Sequence, residues 1–82
     1  MREDLIEEIW SAIENLRAPI TCDAPIETKT FGTWSIMGDI ELGHPNTGYI
    51  ERCVRYEEDY QEDPVDELTE VERHELNYRL RE

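Results

Sequence analysis

The sequence predicts an α+β fold with an N-terminal helix, a three-stranded antiparallel sheet and a C-terminal helix, in the order α-β-β-β-α. Three observations predict it. Apolar residues recur at helical spacing from Arg2 to Arg17, the period changes to two between Ile20 and Tyr56, and helix-start signals precede a second helical stretch near the C-terminus.

In the opening stretch Leu5, Ile9, Ile13 and Leu16 share one helical face, and Ile6 and Trp10 widen it. Glu3, Asp4, Glu7, Glu8, Ser11, Glu14 and Asn15 fill the opposite side. Glu3 and Asp4 in the first turn and Arg17 in the last suit the helix dipole, and Pro19 stops the helix. In the next stretch Trp34, Ile36, Ile40 and Leu42 alternate with Ser35, Met37, Asp39 and Glu41, the pattern of a strand with one buried face. Gly38 marks a bulge or a close backbone approach. Gly43 to Gly48 reads as a loop, and Tyr49 to Glu57 as the return strand, with Ile50, Val54 and Tyr56 on one face and Tyr49 and Cys53 on the other. Ile26 to Phe31, bounded by Pro25 and Gly32, is the remaining strand.

Two start signals mark either one helix or a short turn followed by a helix. Asp63-Pro64 offers an N-cap with proline at the first helical position, and Thr69 with Glu72 has the spacing of a capping box. Val65, Leu68, Leu76 and Leu80 share a face that Val71 and Tyr78 broaden, while Arg73, Arg79 and Arg81 suit the C-terminal end of the dipole. Both helices are expected to cover one face of the sheet, with Trp10 and Trp34 in the core between.

A chain of 82 residues is expected to form one small domain. Domains of this size bury only roughly 60% of the surface that the unfolded chain exposes. Hydrophobic content of 38% against 35% charged residues still supports a core.

Charge is the main functional signal. The formal net charge is -13, and between Glu57 and Glu70 eight carboxylates fall in fourteen residues with no Lys or Arg. Packing like charges together destabilises a compact state, so such a load serves solubility or meets a basic partner. Seven Arg and the single Lys29 are scattered, which argues against direct nucleic-acid binding and against anionic membranes. No apolar run is long enough to span a bilayer, and the acidic start does not resemble a signal peptide. Cys22 and Cys53 leave a bridge open, but read first as two free thiols of a reducing compartment, the cytoplasm.

Recognisable catalytic chemistry is missing. There is no nucleophile elbow and no phosphate-cradling glycine loop, and Ser11 and Ser35 are the only serines. Cys22, Cys53, His44 and His74 lack the close spacing of a zinc site, and the acidic run lacks the glycine a calcium loop requires. The expectation is a non-enzyme with no cofactor and no metal.

Glu3, Glu7 and Glu14 lie along one side of the first helix, where residues four apart rise about 6 Å, close to the spacing of consecutive phosphates. Glu57, Glu58, Asp59, Glu62, Asp63, Asp66 and Glu67 extend the acidic surface around a corner. These ten residues are the candidate contacts for a basic nucleic-acid-binding protein or complex. Tyr49, Tyr56 and Tyr60, interleaved with carboxylates, read either as interface aromatics or as residues packed in and around the sheet. In general character the chain resembles the small acidic proteins of phages and mobile elements that block host nucleases, CRISPR effectors, glycosylases or nucleoid proteins by imitating DNA. That resemblance rests on size and charge, not on a motif, and implies a cytoplasmic inhibitor in a bacterial host. The competing expectation is an assembly module, a homodimer joined through the apolar faces of the C-terminal helix, Val71 and Tyr78 on one side and Leu76 and Leu80 on another.

Overall fold

The computed structural model describes residues 1–41, 44–56 and 66–81. The element order is α1 (Glu3–Glu14), β1 (Asp23–Glu27), β2 (Thr33–Glu41), β3 (His44–Arg55) and α2 (Glu70–Leu80). The strands form one antiparallel sheet in the order β1-β2-β3. The expected α-β-β-β-α arrangement is therefore present.

Helix α1 buries Leu5, Ile6, Ile9 and Ile13, the stripe that helical spacing anticipates. It ends at Glu14, so Arg17 lies beyond its last turn, where there is no basic residue. Instead the Asn15 side-chain Nδ2 donates to the Ser11 carbonyl at 2.8 Å and helps close the end. The core joins these residues to Ile20, Ile26, Trp34, Ile36, Ile40, Ile50, Cys53, Leu68, Leu76 and Leu80, with Trp10 partly buried against it. Fully burying one such aliphatic side chain is worth about 1.5–3 kcal/mol.

Strand β1 departs from its expected bounds. Thr28 to Gly32 forms the β1–β2 turn, in which the Thr28 hydroxyl donates to the Gly32 carbonyl at 2.6 Å and Gly32 takes a φ of 79°. The strand therefore precedes the turn and includes Pro25. Ile20 exchanges two backbone bonds with Ile40, and Cys22 accepts from Gly38, so Asp23, Pro25 and Glu27 turn their backbone groups outward. A proline there lacks no bond within the sheet, and it blunts an open edge.

Strand β2 alternates as expected, Trp34, Ile36 and Ile40 inward and Ser35, Met37, Asp39 and Glu41 outward; Leu42 lies outside the described residues. Strand β3 begins at His44 and pairs back to Glu41, where the sequence reads as loop. Its facing is also corrected. Met37 pairs with Arg52 but Gly38 with Ile50, so Glu51 is an inserted residue and the alternation slips by one. Ile50 and Cys53 both turn inward, while Val54 and Tyr56 share the outer face with Tyr49. Gly38 sits at this irregularity, and a Cβ there would collide with the Tyr49 carbonyl oxygen.

Residues 66–68 pair with the outer edge of β3. The Arg55 amide donates to the Asp66 carbonyl and the Leu68 amide to the Cys53 carbonyl, both at 2.9 Å. Further along, the Asn77 side chain accepts from the Ile50 amide at 2.7 Å and donates to its carbonyl at 3.0 Å. Arg73 donates to the Glu51 carbonyl at 2.8 Å. This extended run rules out one helix starting at Asp63-Pro64. Helix α2 starts instead at the capping box of Thr69 and Glu72, both of whose bonds are present. Pro64 and Val65 lie outside the described residues. Val71 and Tyr78 are 65% and 63% exposed, on the solvent face and not on the core face. Of the three C-terminal arginines only Arg79 is in the last turn of α2.

Candidate acidic interface

Half of the predicted contact set lies outside the described residues: Glu57, Glu58, Asp59, Glu62 and Asp63, and with them Tyr60. The other half is divided between internal ion pairs and open surface. Arg79 from α2 donates to Glu7 on α1 at 2.6 Å and to Glu75 at 3.3 Å, clasping the two helices and holding the Glu7 carboxyl below its ordinary range. Arg2 reaches Asp66 at 2.5 Å, and Arg52 pairs with Glu67. Glu3 and Glu14 are exposed and have no ion-pair partner among the described residues. The structure thus brings Glu3, Glu7 and Glu14 onto one side of α1, but Asp66 and Glu67 stand at the β3 edge.

Among the described residues the most buried carboxylate is one the sequence reads only as a cap. Glu72 is 1% exposed. Arg2 donates to it from Nε at 2.9 Å, from Nη2 at 2.8 Å and from its backbone amide at 3.0 Å, and the Thr69 amide donates at 3.0 Å. The bond from Arg2, assisted by the backbone amides, outweighs the cost of burial and lowers the Glu72 carboxyl to about 2. The guanidinium lies 6.0 Å from the centre of the Trp34 ring and its own pKa is raised. This node ties the first turn of the chain to the start of α2. On the far side of α1, Thr30 in the β1–β2 turn donates to Glu8 through its amide, at 2.6 Å, and its hydroxyl, which lowers the Glu8 carboxyl.

A second acidic surface lies on the sheet face turned away from the helices. Asp23 and Glu27 of β1, and Asp39 and Glu41 of β2, are exposed on it. Asp39 and Glu41 are two residues apart on a strand, roughly 6.7 Å. Asp23 pairs with Met37, which places it diagonally from Asp39 at roughly 7–8 Å. None of the four has a cation in ion-pair range among the described residues. Between them lie Pro25, Met37 and Val54, with Tyr49 opposite Asp39 and Tyr56 beside Thr33; the two tyrosines are 51% and 50% exposed. Tyr56 is accordingly an outward residue and not part of the core.

A hollow of about 390 Å³ opens on this face, lined among others by Asp23, Met37, Tyr49 and Glu51. An adjoining hollow of about 520 Å³ shares Met37 and Glu51 and mixes Glu67 and Glu70 with Arg52 and Arg73. Sequence reasoning passed over Asp23, Glu27, Asp39 and Glu41 because they are isolated single acids. Only the pairing of β1 with β2 gathers them, although the outward phase of Asp39 and Glu41 was readable.

Both cysteines are free, Cys22 exposed and Cys53 buried. Burial pushes the Cys53 thiol up to about 12. Among the described residues no group of three or more His, Cys, Asp and Glu could hold a metal ion, and no helix is long and apolar enough to cross a membrane. No family model, no curated protein and no solved structure matches the chain.

Proposed function

We propose that the chain is a non-enzymatic inhibitor or regulator that occupies the basic channel of a nucleic-acid-handling protein, such as a nuclease or CRISPR effector, in place of its nucleic acid. In this reading it acts in the cytoplasm of a bacterial host and is encoded by a phage or mobile element. One observation carries the proposal. The net charge is -13, and Arg2, Arg52 and Arg79 are each engaged with carboxylates of the chain itself. The carboxylates of the open sheet face, with Glu3 and Glu14, are exposed without an ion-pair partner among the described residues and contribute to the outward negative field. Such a field speeds encounter with a basic channel and weakens steeply with salt.

The test is retention of bacterial lysate proteins on the immobilised chain, eluted with a salt gradient and competed with duplex DNA. A nuclease, effector complex or DNA-binding regulator that DNA displaces is the expected result. Retained proteins with no nucleic-acid-handling role, or elution indifferent to salt, would overturn the proposal. A parallel test replaces Glu57, Glu58, Asp59 and Glu62 with Gln; unchanged capture would remove that segment from the contact surface.

Self-association is the competing proposal, and the exposure of Val71 and Tyr78 on α2 favours it. Leu76 and Leu80 are fully buried in the core and contribute nothing to such an interface. Sedimentation decides, because an apolar dimer persists in high salt whereas capture of a basic partner does not.

A further inference from the structure

We infer that the hollow between Asp23 and Glu51 on the open sheet face receives an arginine side chain of the partner, with Tyr49 stacking on the guanidinium. The inference rests on the proposed function and gives it a location and a chemistry.

The hollow of about 390 Å³ carries two carboxylates and an aromatic ring, and no Lys or Arg lines it. Asp23 rises from β1 and Glu51 from β3, two strand spacings apart, so roughly 10 Å separates their backbones. A planar guanidinium donates from both sides of its plane edge and suits a pair of flanking carboxylates; a lysine ammonium is a compact, more strongly hydrated point charge. Met37 beneath is apolar and half-buried, which favours the more weakly hydrated cation. Tyr49, half exposed, supplies the face on which guanidinium stacks. The bulge at Glu51 creates this geometry, since the inserted residue brings its carboxylate beside the hollow.

Charge also excludes the other occupants. A second copy brings a further net charge of -13, and a nucleic acid brings phosphates. A basic protein surface is the complement that remains, and arginine is its fitting residue.

Nona-arginine and nona-lysine peptides are the probes, titrated into the full chain at low salt and followed by amide chemical shifts. The expected result is tighter binding of nona-arginine, with its shifts centred on Asp23, Met37, Tyr49 and Glu51. Tyr49→Ala should lower that affinity about 2–5-fold, and Tyr49→Phe, which keeps the ring, should restore it. Asp23→Asn combined with Glu51→Gln should abolish the preference for arginine. Thermal melts confirm that each variant is folded, and the exposed positions of Asp23, Tyr49 and Glu51 make that the expected outcome. Equal affinities for the two peptides, or shifts confined to α1, would overturn this inference while leaving capture of a basic protein untouched. Conversely, correct mapping without any DNA-displaceable protein from lysate would retain the arginine site and refute the proposed function.

Discussion

Replacing Arg2 with alanine removes the partner of a carboxylate that the fold has taken out of water. Glu72 is 1% exposed and its carboxyl falls from 4.5 to about 2, first because Arg2 donates to it. A depression of that size corresponds to roughly 3 kcal/mol at 1.36 kcal/mol per pKa unit. Arg2 itself is 41% exposed, so water partly replaces a lost guanidinium and the expected loss is about 2–3 kcal/mol. For an 82-residue domain the whole stability is of order 4–12 kcal/mol, and each kcal/mol moves the melting point about 4–8 °C. Arg2→Ala should therefore melt roughly 10–20 °C below the parent at pH 7. The pH dependence has a fixed sign. Because the folded carboxyl titrates below the unfolded one, the stabilisation is complete above the ordinary value and fades as pH falls from about 4.5 towards 2. Urea unfolding of the parent and Arg2→Ala should thus converge across that window. Arg17→Ala makes the same change in net charge at an exposed site and should stay within about 0.5 kcal/mol of the parent. An Arg2→Ala loss no larger than that of Arg17→Ala, or a gap that ignores pH, would refute the reasoning.

Two other predictions test the frame that holds the open face. Asn77→Ala strips both bonds from the buried Ile50 backbone and should cost about 1–3 kcal/mol by urea unfolding, with the amide of Ile50 losing hydrogen-exchange protection. A thiol reagent at neutral pH should label Cys22 promptly and Cys53 only in denaturant, because burial pushes the Cys53 thiol up to about 12; two fast thiols in the native protein would contradict the packing of β3.

The elements of the fold were legible wherever a local period ran uninterrupted. Leu5, Ile9 and Ile13 mark α1, Trp34 to Glu41 marks β2, and Thr69 with Glu72 marks the start of α2. Reading failed where one inserted residue changes the phase. Glu51 reverses the facing of everything after it in β3, and nothing local distinguishes it from its neighbours. The β1 turn was misplaced because Thr28 and Thr30 look like strand residues, while the hydroxyl bond to Gly32 and the bonds to Glu8 are tertiary facts. Glu72 was legible as a cap and illegible as a buried ion, since its partner is 70 residues away. Single acids at 23, 27, 39 and 41 gain meaning only from strand pairing.

The distribution of arginines links stability to binding in an informative way. Arg2 spans from the chain start to α2, Arg79 joins α2 to α1, and Arg52 joins β3 to the segment before α2. Each pair closes a seam between elements that approach one another only in the fold, and each offsets at least one carboxylate with its arginine. The remaining carboxylates repel one another, so added salt relaxes the folded state by screening them. The same screening weakens attraction to a basic partner. Fold and complex therefore respond to salt with opposite signs. Release of a captured protein by salt reports lost attraction and not unfolding of the chain, provided that the melting temperature holds or rises over the same gradient. A melting temperature that falls as salt increases would show that the internal pairs, and not the repulsion among free carboxylates, dominate the electrostatics of the fold.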